Sequence, residues 1–255
     1  MRSERRAIPN PDATAIPGRV RLGMLTPSSN SVLEPLSAHM LAGMPGVTVH
    51  ASRFRVTQIG LSQEALGQFA TDGMVAASEL LADAKVASIM WNGTSAAWMG
   101  FPSDEKLAHD ITARTGIPAS SSVLAIREAF QALRATRIGL VTPYTSDVQA
   151  RIRENWGAAG FACTAERHAG LSDNFAFARL GESEIADMVK AVAAEGVDAV
   201  AIVCTNMAGA AVAPALEEEL GLPVLDSVAV TLWKALTLAG CGTEALARWG
   251  RVFRS

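Results

Sequence analysis

The sequence is poor in the residues that build disulfide frameworks and metal sites. Its 255 residues include 3 cysteines and 4 histidines, all far apart along the chain. An odd number of scattered cysteines argues against a disulfide framework and is typical of a reducing compartment. The histidines form no i, i+4 pair of the kind that binds zinc. We therefore expect a cytoplasmic protein without a metal ion.

Long apolar runs and strong net charge are missing as well. No run approaches the roughly 18 apolar residues of a membrane span, and residues 1–18 have no apolar segment, so they are interpreted as a flexible N-terminal arm. A net charge of -3 gives no electrostatic footprint for nucleic acid. Glycine-rich phosphate-binding motifs are absent too, so we expect no nucleotide cofactor, no nucleic acid and no membrane partner.

What the sequence does contain is an internal repeat. Three segments of the first half recur in the same order in the second half. Two are short apolar strands followed by small, polar or proline residues, and the third is a strand that begins with Gly-x-Pro. A duplicated lobe explains such collinear matches better than a solenoid, whose repeats are much shorter. The matched segments are 21–27 with 137–143, 86–95 with 197–206, and 116–122 with 221–227.

The segments between these strands have the apolar spacing of helices. Apolar residues recur every three or four positions over Gln63 to Asp83 and over Glu182 to Glu195. Two further helices, Ser122 to Leu133 and Ser227 to Leu238, follow the last strand of each half and could cross between the halves. Strands that alternate with helices predict an α/β fold with parallel sheets.

The repeat and the βαβ pattern together predict two similar doubly wound parallel-sheet lobes related by a pseudo-twofold axis. The active site is expected in the cleft between them. We place the first lobe at residues 19–121, the second at 122–227, and expect 228–255 to pack back on the first lobe.

Candidate site residues follow from the carboxyl ends of the predicted strands, where ligands of open α/β sheets bind. The apolar strand that starts at Val197 leads into Cys204 and places a thiol at such an end. The equivalent ends carry hydroxyls, amides and backbone N–H groups but no charged side chain, which suits a carboxylate held by neutral donors. The candidates are Ser29, Asn30, Gly93, Thr94, Ser95, Tyr144, Cys204 and Thr205.

These residues resemble the Asp/Glu racemase superfamily, and within it the branch of arylmalonate decarboxylases and maleate cis-trans isomerases. Residues 20–30 and 204–207 are similar to the isomerases. Residues 93–95, Tyr144 and the ending at 249–253 are similar to the decarboxylase. The resemblance covers nearly the whole chain after residue 18.

The resemblance implies a specific chemistry. Racemases and isomerases of the superfamily use two cysteines, one from each lobe, but the position matching the first cysteine is Gly93. A single remaining cysteine points to cofactor-free decarboxylation of a malonate-type dicarboxylic acid. One carboxylate would be bound by Thr94, Ser95, Tyr144 and the N–H of Thr205, and Cys204 would protonate the enediolate from one face.

Two alternatives remain open at the level of sequence. One is an isomerase resembling maleate isomerase or Asp/Glu racemase that uses Cys204 with an unidentified second group. The other is a non-catalytic protein that binds a small carboxylate in the cleft. Ser29 and Asn30 could equally be helix-start residues, and Thr94 and Ser95 could cap the following helix. In every case a small dicarboxylic or carboxylic acid is the expected partner, and the sequence is compatible with a homo-oligomer.

Overall fold

The computed structural model describes residues 19–254, so the predicted N-terminal arm lies outside the described residues. In the first half, strands alternate with helices along the chain. The elements are β1 (Val20–Pro27), α1 (Leu33–Met40), β2 (Val47–Phe54), α2 (Gln63–Gly67), α3 (Thr71–Asp83), β3 (Ser88–Trp91), α4 (Ala96–Met99), α5 (Phe101–Thr115), β4 (Ala119–Ser121) and α6 (Ser122–Leu133).

The second half repeats this alternation. Its elements are β5 (Arg137–Thr142), α7 (Ser146–Ala158), β6 (Ala162–His168), α8 (Glu182–Ala193), β7 (Ala199–Ile202), α9 (Gly209–Leu220), β8 (Val224–Asp226) and α10 (Ser227–Leu238). Short 3-10 helices lie at Leu41–Gly43, Ala176–Arg179, Glu244–Trp249 and Arg251–Arg254.

The strands form two parallel sheets with the same topology. The first has the order β2-β1-β3-β4 and the second the order β6-β5-β7-β8. The strands β3 and β7 are buried along their whole length, which explains their nearly continuous apolar sequence. This topology confirms the predicted α/β fold with two similar parallel-sheet lobes.

The prediction of one helix from Gln63 to Asp83 is wrong. The segment forms two helices, because α2 ends at Gly67 and α3 begins only at Thr71. Three residues, Gln68 to Ala70, separate the two helices, and the middle one, Phe69, is 9% exposed and packs into the core. Burial of this phenyl ring therefore decides the local structure over the helical periodicity.

Helices and loops connect the two lobes. α6 packs against α10, and the Thr231 hydroxyl donates to Ser122 Oγ at 2.7 Å. α10 also contacts β3 of the first sheet, where the Ser88 hydroxyl donates to the Ala235 carbonyl at 3.0 Å. No helix among residues 19–254 is long and apolar enough to cross a membrane.

The loops after β2 and β6 meet across the cleft. The Ile59 N–H donates to the Ser172 carbonyl at 2.9 Å, and the Asn174 N–H donates to the Thr57 carbonyl at 3.0 Å. These bonds join one loop from each lobe in a short antiparallel bridge. The bridge therefore ties the two lobes together at these loops.

Candidate active site

Cys204 lies two residues beyond the end of β7, and backbone N–H groups hold it in place. Its N–H donates to Ser227 Oγ at 3.1 Å, at the first residue of α10, and the Asn206 N–H donates to its sulfur at 3.3 Å. Burial raises the pKa of the Cys204 thiol to about 12, and the Asn206 N–H and the Tyr144 hydroxyl lower it by less. Cys204 is therefore a neutral thiol at neutral pH, which can donate a proton.

Tyr144 and Thr94 bring one hydroxyl from each lobe to the same place. Tyr144 OH and Thr94 Oγ1 are 2.5 Å apart. The tyrosine ring is held edge to face between Trp98 and Phe177, with ring centroids at 5.1 and 5.5 Å. Burial raises the pKa of Tyr144 well above its usual value, so the phenol stays protonated and can donate a hydrogen bond.

Backbone N–H groups add further donors. Within the described residues, the N–H groups of Thr94 and Thr205 have no hydrogen-bond acceptor. The Thr205 hydroxyl is already used, since it donates to the Asn92 carbonyl at 2.9 Å and accepts from Asn30 Nδ2 at 3.1 Å. Thr205 can therefore offer a ligand its N–H but not its hydroxyl hydrogen.

A small cavity lies between these groups. Its volume, about 20 Å³, is enough for roughly one water molecule. Five of the predicted site residues line it, namely Gly93, Thr94, Tyr144, Cys204 and Thr205. The other lining residues are mostly apolar and comprise Pro27, Val56, Ile59, Phe69, Trp91, Trp98 and Asn174. We refer to this space as the thiol cavity.

Three predicted site residues lie beside the thiol cavity without lining it. The Ser95 hydroxyl accepts a long hydrogen bond from Trp91 Nε1, at 3.4 Å. Ser29 donates to the Val56 carbonyl at 2.6 Å. Asn30 Oδ1 accepts from two backbone N–H groups at the start of α1, at 3.0 and 2.9 Å. Substrate binding by these three side chains stays a prediction, and their bonds in the structure hold loops in place.

Several residues at the cavity were not predicted from the sequence. Asn174 lines it and donates from Nδ2 to Ser29 Oγ at 2.7 Å, which ties the loop after β6 to the first lobe. Val56, Ile59 and Phe69 supply apolar walls. No pattern in the sequence could have identified Asn174, because its loop has no regular structure and reaches the site only through contacts with the other lobe.

The indole of Trp91 fills the space that a side chain at residue 93 would need. A Cβ atom added at Gly93 would lie 1.9 Å from Cζ2 of Trp91. The backbone of Gly93 is not in the left-handed region, so space rather than conformation requires glycine here. The position that corresponds to Cys204 in the first lobe is therefore filled by an indole edge and has no room for a second thiol.

The residues that line the thiol cavity offer hydrogen-bond donors but include no positively charged side chain. Asp226, which caps α10 by accepting from the N–H groups of Val228 and Ala229, is the buried carboxyl whose charge further raises the pKa of Cys204. Burial raises the pKa of Asp226 itself to about 7. Within residues 19–254, no three metal-binding side chains converge. Neutral hydroxyls and N–H groups that surround a protonated thiol can hold a carboxylate and protonate a carbon next to it.

A protein-family model described as arylmalonate decarboxylase matches residues 22–253. The chain belongs to the arylmalonate decarboxylase family. It is 27% identical to the arylmalonate decarboxylase of Bordetella bronchiseptica over 244 residues, which cover 91% of this chain and 95% of that protein. It is 28% identical to the maleate isomerase of Geobacillus stearothermophilus over 232 residues, 85% of this chain and 90% of the relative.

Two solved structures share the fold of this chain. A Nocardia farcinica maleate cis-trans isomerase variant with a covalently bound succinylcysteine intermediate gives a TM-score of 0.85 at 23% identity, with 93% of this chain and 99% of the other covered. A crystal structure of arylmalonate decarboxylase gives a TM-score of 0.75 at 23% identity, with coverage of 92% and 99%. At this identity the likeness concerns the fold alone.

Proposed function

We propose that this protein decarboxylates a malonate-type dicarboxylic acid without a cofactor and that Cys204 protonates the product. One observation carries the proposal: the thiol cavity has a single cysteine, and the equivalent place in the first lobe is Gly93 covered by Trp91. Racemisation or isomerisation by two thiols has no second group there. Protonation from one face requires only the neutral thiol that burial maintains.

The donors around the cavity suit the charge that develops in this reaction. One carboxylate accepts hydrogen bonds from the hydroxyl pair of Thr94 and Tyr144 and from the N–H of Thr205. The bond from the α-carbon to the other carboxylate breaks, its electron pair stays on the substrate as an enediolate, and CO₂ leaves. The same neutral donors stabilise the enediolate oxygens, which gain charge in the transition state.

The apolar wall gives a reason for the second carboxylate to leave. Val56, Ile59 and Phe69 offer it no hydrogen bond from their side chains, and an unpaired carboxylate in apolar surroundings is strongly destabilised. The thiol then gives its proton to the α-carbon, and the resulting thiolate regains a proton from water. Every step uses only groups of this chain and solvent.

A second candidate is cis-trans isomerisation of maleate. The observation in its favour is that maleate isomerases match this chain at 25 to 28% identity, in the same range as arylmalonate decarboxylase. Isomerisation through a covalent adduct would require Cys204 as a thiolate nucleophile. Burial of Cys204 disfavours the thiolate, so decarboxylation is the preferred proposal.

The deciding experiment incubates the protein in deuterated water with separate malonate, maleate and aspartate substrates. Release of CO₂ with one deuterium at the α-carbon supports the decarboxylase. Fumarate formation from maleate supports the isomerase, α-deuterium in aspartate supports a racemase, and saturable binding without turnover indicates a binding protein.

Replacement of Cys204 tests whether its thiol is the proton donor. Cys204→Ser should lower decarboxylation by at least about 10³-fold while circular dichroism stays unchanged, because a hydroxyl is a far weaker acid than a thiol. Cys163→Ser is the control, since Cys163 is also buried but lies on β6 away from the cavity. A Cys204→Ser protein with activity within about tenfold of the parent would remove Cys204 from the proposed role.

A further inference from the structure

Trp91 lines both the thiol cavity and a second cavity. The second cavity is lined by Trp91 and Phe69 together with residues of α3, α4 and α5, and we call it the helix cavity. The two cavities share Trp91 and Phe69. One edge of the indole, at Cζ2, lies against Gly93 in the thiol cavity, and its Nε1 points to Ser95, which lines the helix cavity.

The sizes of the two cavities differ in a way that bears on the substrate. The thiol cavity has about 20 Å³, which is room for roughly one water. The helix cavity has about 160 Å³, and a volume of about 150 Å³ is enough for a benzene ring. Its lining is mixed: the apolar residues are Phe69, Met74, Trp91, Met99 and Leu107, and the polar ones are Thr71, Ser95, Ser103, Asp104 and Lys106. Space for an aromatic substituent therefore exists close to the thiol, but it lies behind the indole.

The indole is firmly placed. Trp91 is fully buried, and its ring packs on Phe54 at 5.1 Å and on Phe69 at 6.3 Å between centroids. A buried aromatic residue held by other rings moves only if it gives up these contacts. By contrast, the bond from Nε1 to Ser95 is long, so packing is what holds the indole.

We propose that Trp91 determines which substituent the substrate can carry: it restricts the protein to malonates with a small aliphatic group and excludes aryl groups. This inference rests on the proposed decarboxylation. The apolar substituent of a bound malonate competes with the indole for the space next to Gly93. Every malonate needs more room than the thiol cavity has, so the walls must move for any substrate. A methyl group adds little to that requirement, whereas a phenyl ring also needs the volume that the indole and the helix cavity occupy.

The test compares methylmalonate with phenylmalonate. The parent protein should prefer methylmalonate by at least about tenfold in kcat/KM. Trp91→Leu joins the two cavities and should shift this preference toward phenylmalonate by about 10- to 100-fold, the range in which hydrophobic pockets discriminate by size. Trp91→Phe, which keeps an aromatic ring but removes the indole edge at Gly93, should give a smaller shift in the same direction.

A matched control separates the role of Trp91 from a general loss of packing. Trp156→Leu makes the same change at a fully buried tryptophan that packs on Phe101 and Phe130 and lines neither cavity. It should lower the melting temperature without changing the substrate preference. If both leucine variants shift the preference equally, or if the parent accepts phenylmalonate as well as methylmalonate, the inference is wrong.

Binding of inert acids distinguishes this inference from the proposed reaction. Propionate and phenylacetate carry the two substituents and one carboxylate to bind, but they lack the second carboxylate that would leave as CO₂, and calorimetry measures their affinity directly. Phenylacetate should bind Trp91→Leu at least about tenfold more tightly than the parent. If no variant decarboxylates any malonate while this affinity change is seen, the proposed function fails and the role of Trp91 stands. If malonates are decarboxylated but neither the affinity for phenylacetate nor the substrate preference depends on Trp91, the proposed function stands and the role of Trp91 fails.

Discussion

At the scale of single residues, the hydroxyls of Thr94 and Tyr144 act as one unit. They bond each other at 2.5 Å, so only one of their two hydrogens remains for a ligand. Tyr144→Phe and Thr94→Ala should therefore each lower kcat/KM by roughly 10²-fold, the scale for loss of one donor to an oxyanion. The double variant should lose little more than either single variant, because both changes break the same arrangement.

The control for this pair is Thr145→Ala. Its hydroxyl donates to the Asp147 carboxylate at 2.6 Å and lines no wall of the thiol cavity. Its kcat/KM should stay within about twofold of the parent. Unchanged kcat/KM in a folded Tyr144→Phe protein would show that the phenol packs the site without donating to the substrate.

The raised pKa of Cys204 also predicts the pH dependence. A proton donor must be protonated, and burial keeps this thiol protonated up to a pH of about 12, above the usual thiol value near 8.5. The kcat/KM for decarboxylation should therefore not fall between pH 8 and pH 10 through loss of the thiol proton. If Cys204 instead acted as a thiolate nucleophile, activity would rise with pH as the thiol loses its proton. Rates of CO₂ release in this range at constant ionic strength distinguish the two.

Some of these residues could be predicted from the sequence and others could not. Cys204 and Thr94 follow equivalent strands, one in each sheet, whose repeat is visible in the sequence. Ligands bind beyond the carboxyl ends of such strands, and the predicted pseudo-twofold arrangement brings the two ends to one cleft. The placement of Trp91 has no such signal, since a tryptophan at the end of a buried strand packs wherever neighbouring side chains leave room. Its role depends on Gly93, two residues away, and on how α3, α4 and α5 pack around the indole.

At the scale of elements, equivalent helix ends show why the repeat predicted the fold well. α5 and α9 both end at a glycine in the left-handed conformation, Gly116 with φ of 72° and Gly221 with φ of 71°. Each is followed by a strand and then by a side chain that caps the next helix, Ser121 for α6 and Asp226 for α10. Local signals of this kind are readable from sequence, whereas the break between α2 and α3 depends on tertiary burial of Phe69.

A buried carboxyl on α5 predicts how stability changes with pH. Burial raises the pKa of Asp104 to about 7, and its Oδ2 has no hydrogen-bond partner among the described residues. The unfolded carboxyl has a pKa near 3.9, so the folded state binds the extra proton between these values. The stability that this group contributes is fully present below pH 4 and is lost as pH rises through about 7.

Replacement of Asp104 tests this dependence. Asp104→Asn should raise the free energy of unfolding at pH 8 relative to the parent and should have little effect at pH 4, as measured by urea denaturation. Stability of the Asp104→Asn variant should still fall with rising pH, because burial raises the pKa of Asp226 to about 7 as well. Asp72→Asn, at an exposed position in the first turn of α3, is the control and should keep the parent slope. Parallel pH curves for parent and Asp104→Asn would contradict the prediction.

At the scale of the whole molecule, the two lobes are similar in topology but differ at the cleft. Both sheets have the same strand order, and Gly93 and Cys204 line one cavity from opposite lobes. A second thiol at residue 93 would complete the symmetry and allow one thiol to remove an α-proton while the other returns one. The sequence suggests Gly93→Cys for this purpose, but the structure places Trp91 Cζ2 where the new Cβ would lie.

The symmetric site therefore requires two changes. Gly93→Cys alone should destabilise the fold by about 1 to 3 kcal/mol or more, because it overpacks the cavity against the indole. Addition of Trp91→Leu removes the clashing ring edge, so the double variant should be more stable than the sum of the two single losses predicts, with a coupling of about 0.5 to 3 kcal/mol. Additive losses in urea denaturation would mean that the two side chains do not compete for space.

The double variant should also gain a reaction that the parent lacks. The N–H of Thr94, which has no acceptor among the described residues, would favour a thiolate at residue 93. We expect this variant to exchange the α-proton of a single-enantiomer 2-substituted propionic acid for deuterium in deuterated water. Chiral chromatography should show that the acid racemises slowly. Cys204→Ser in this background should abolish racemisation, because two-base exchange needs both thiols. A folded double variant without exchange would show that residues 93 and 204 do not face each other across one substrate.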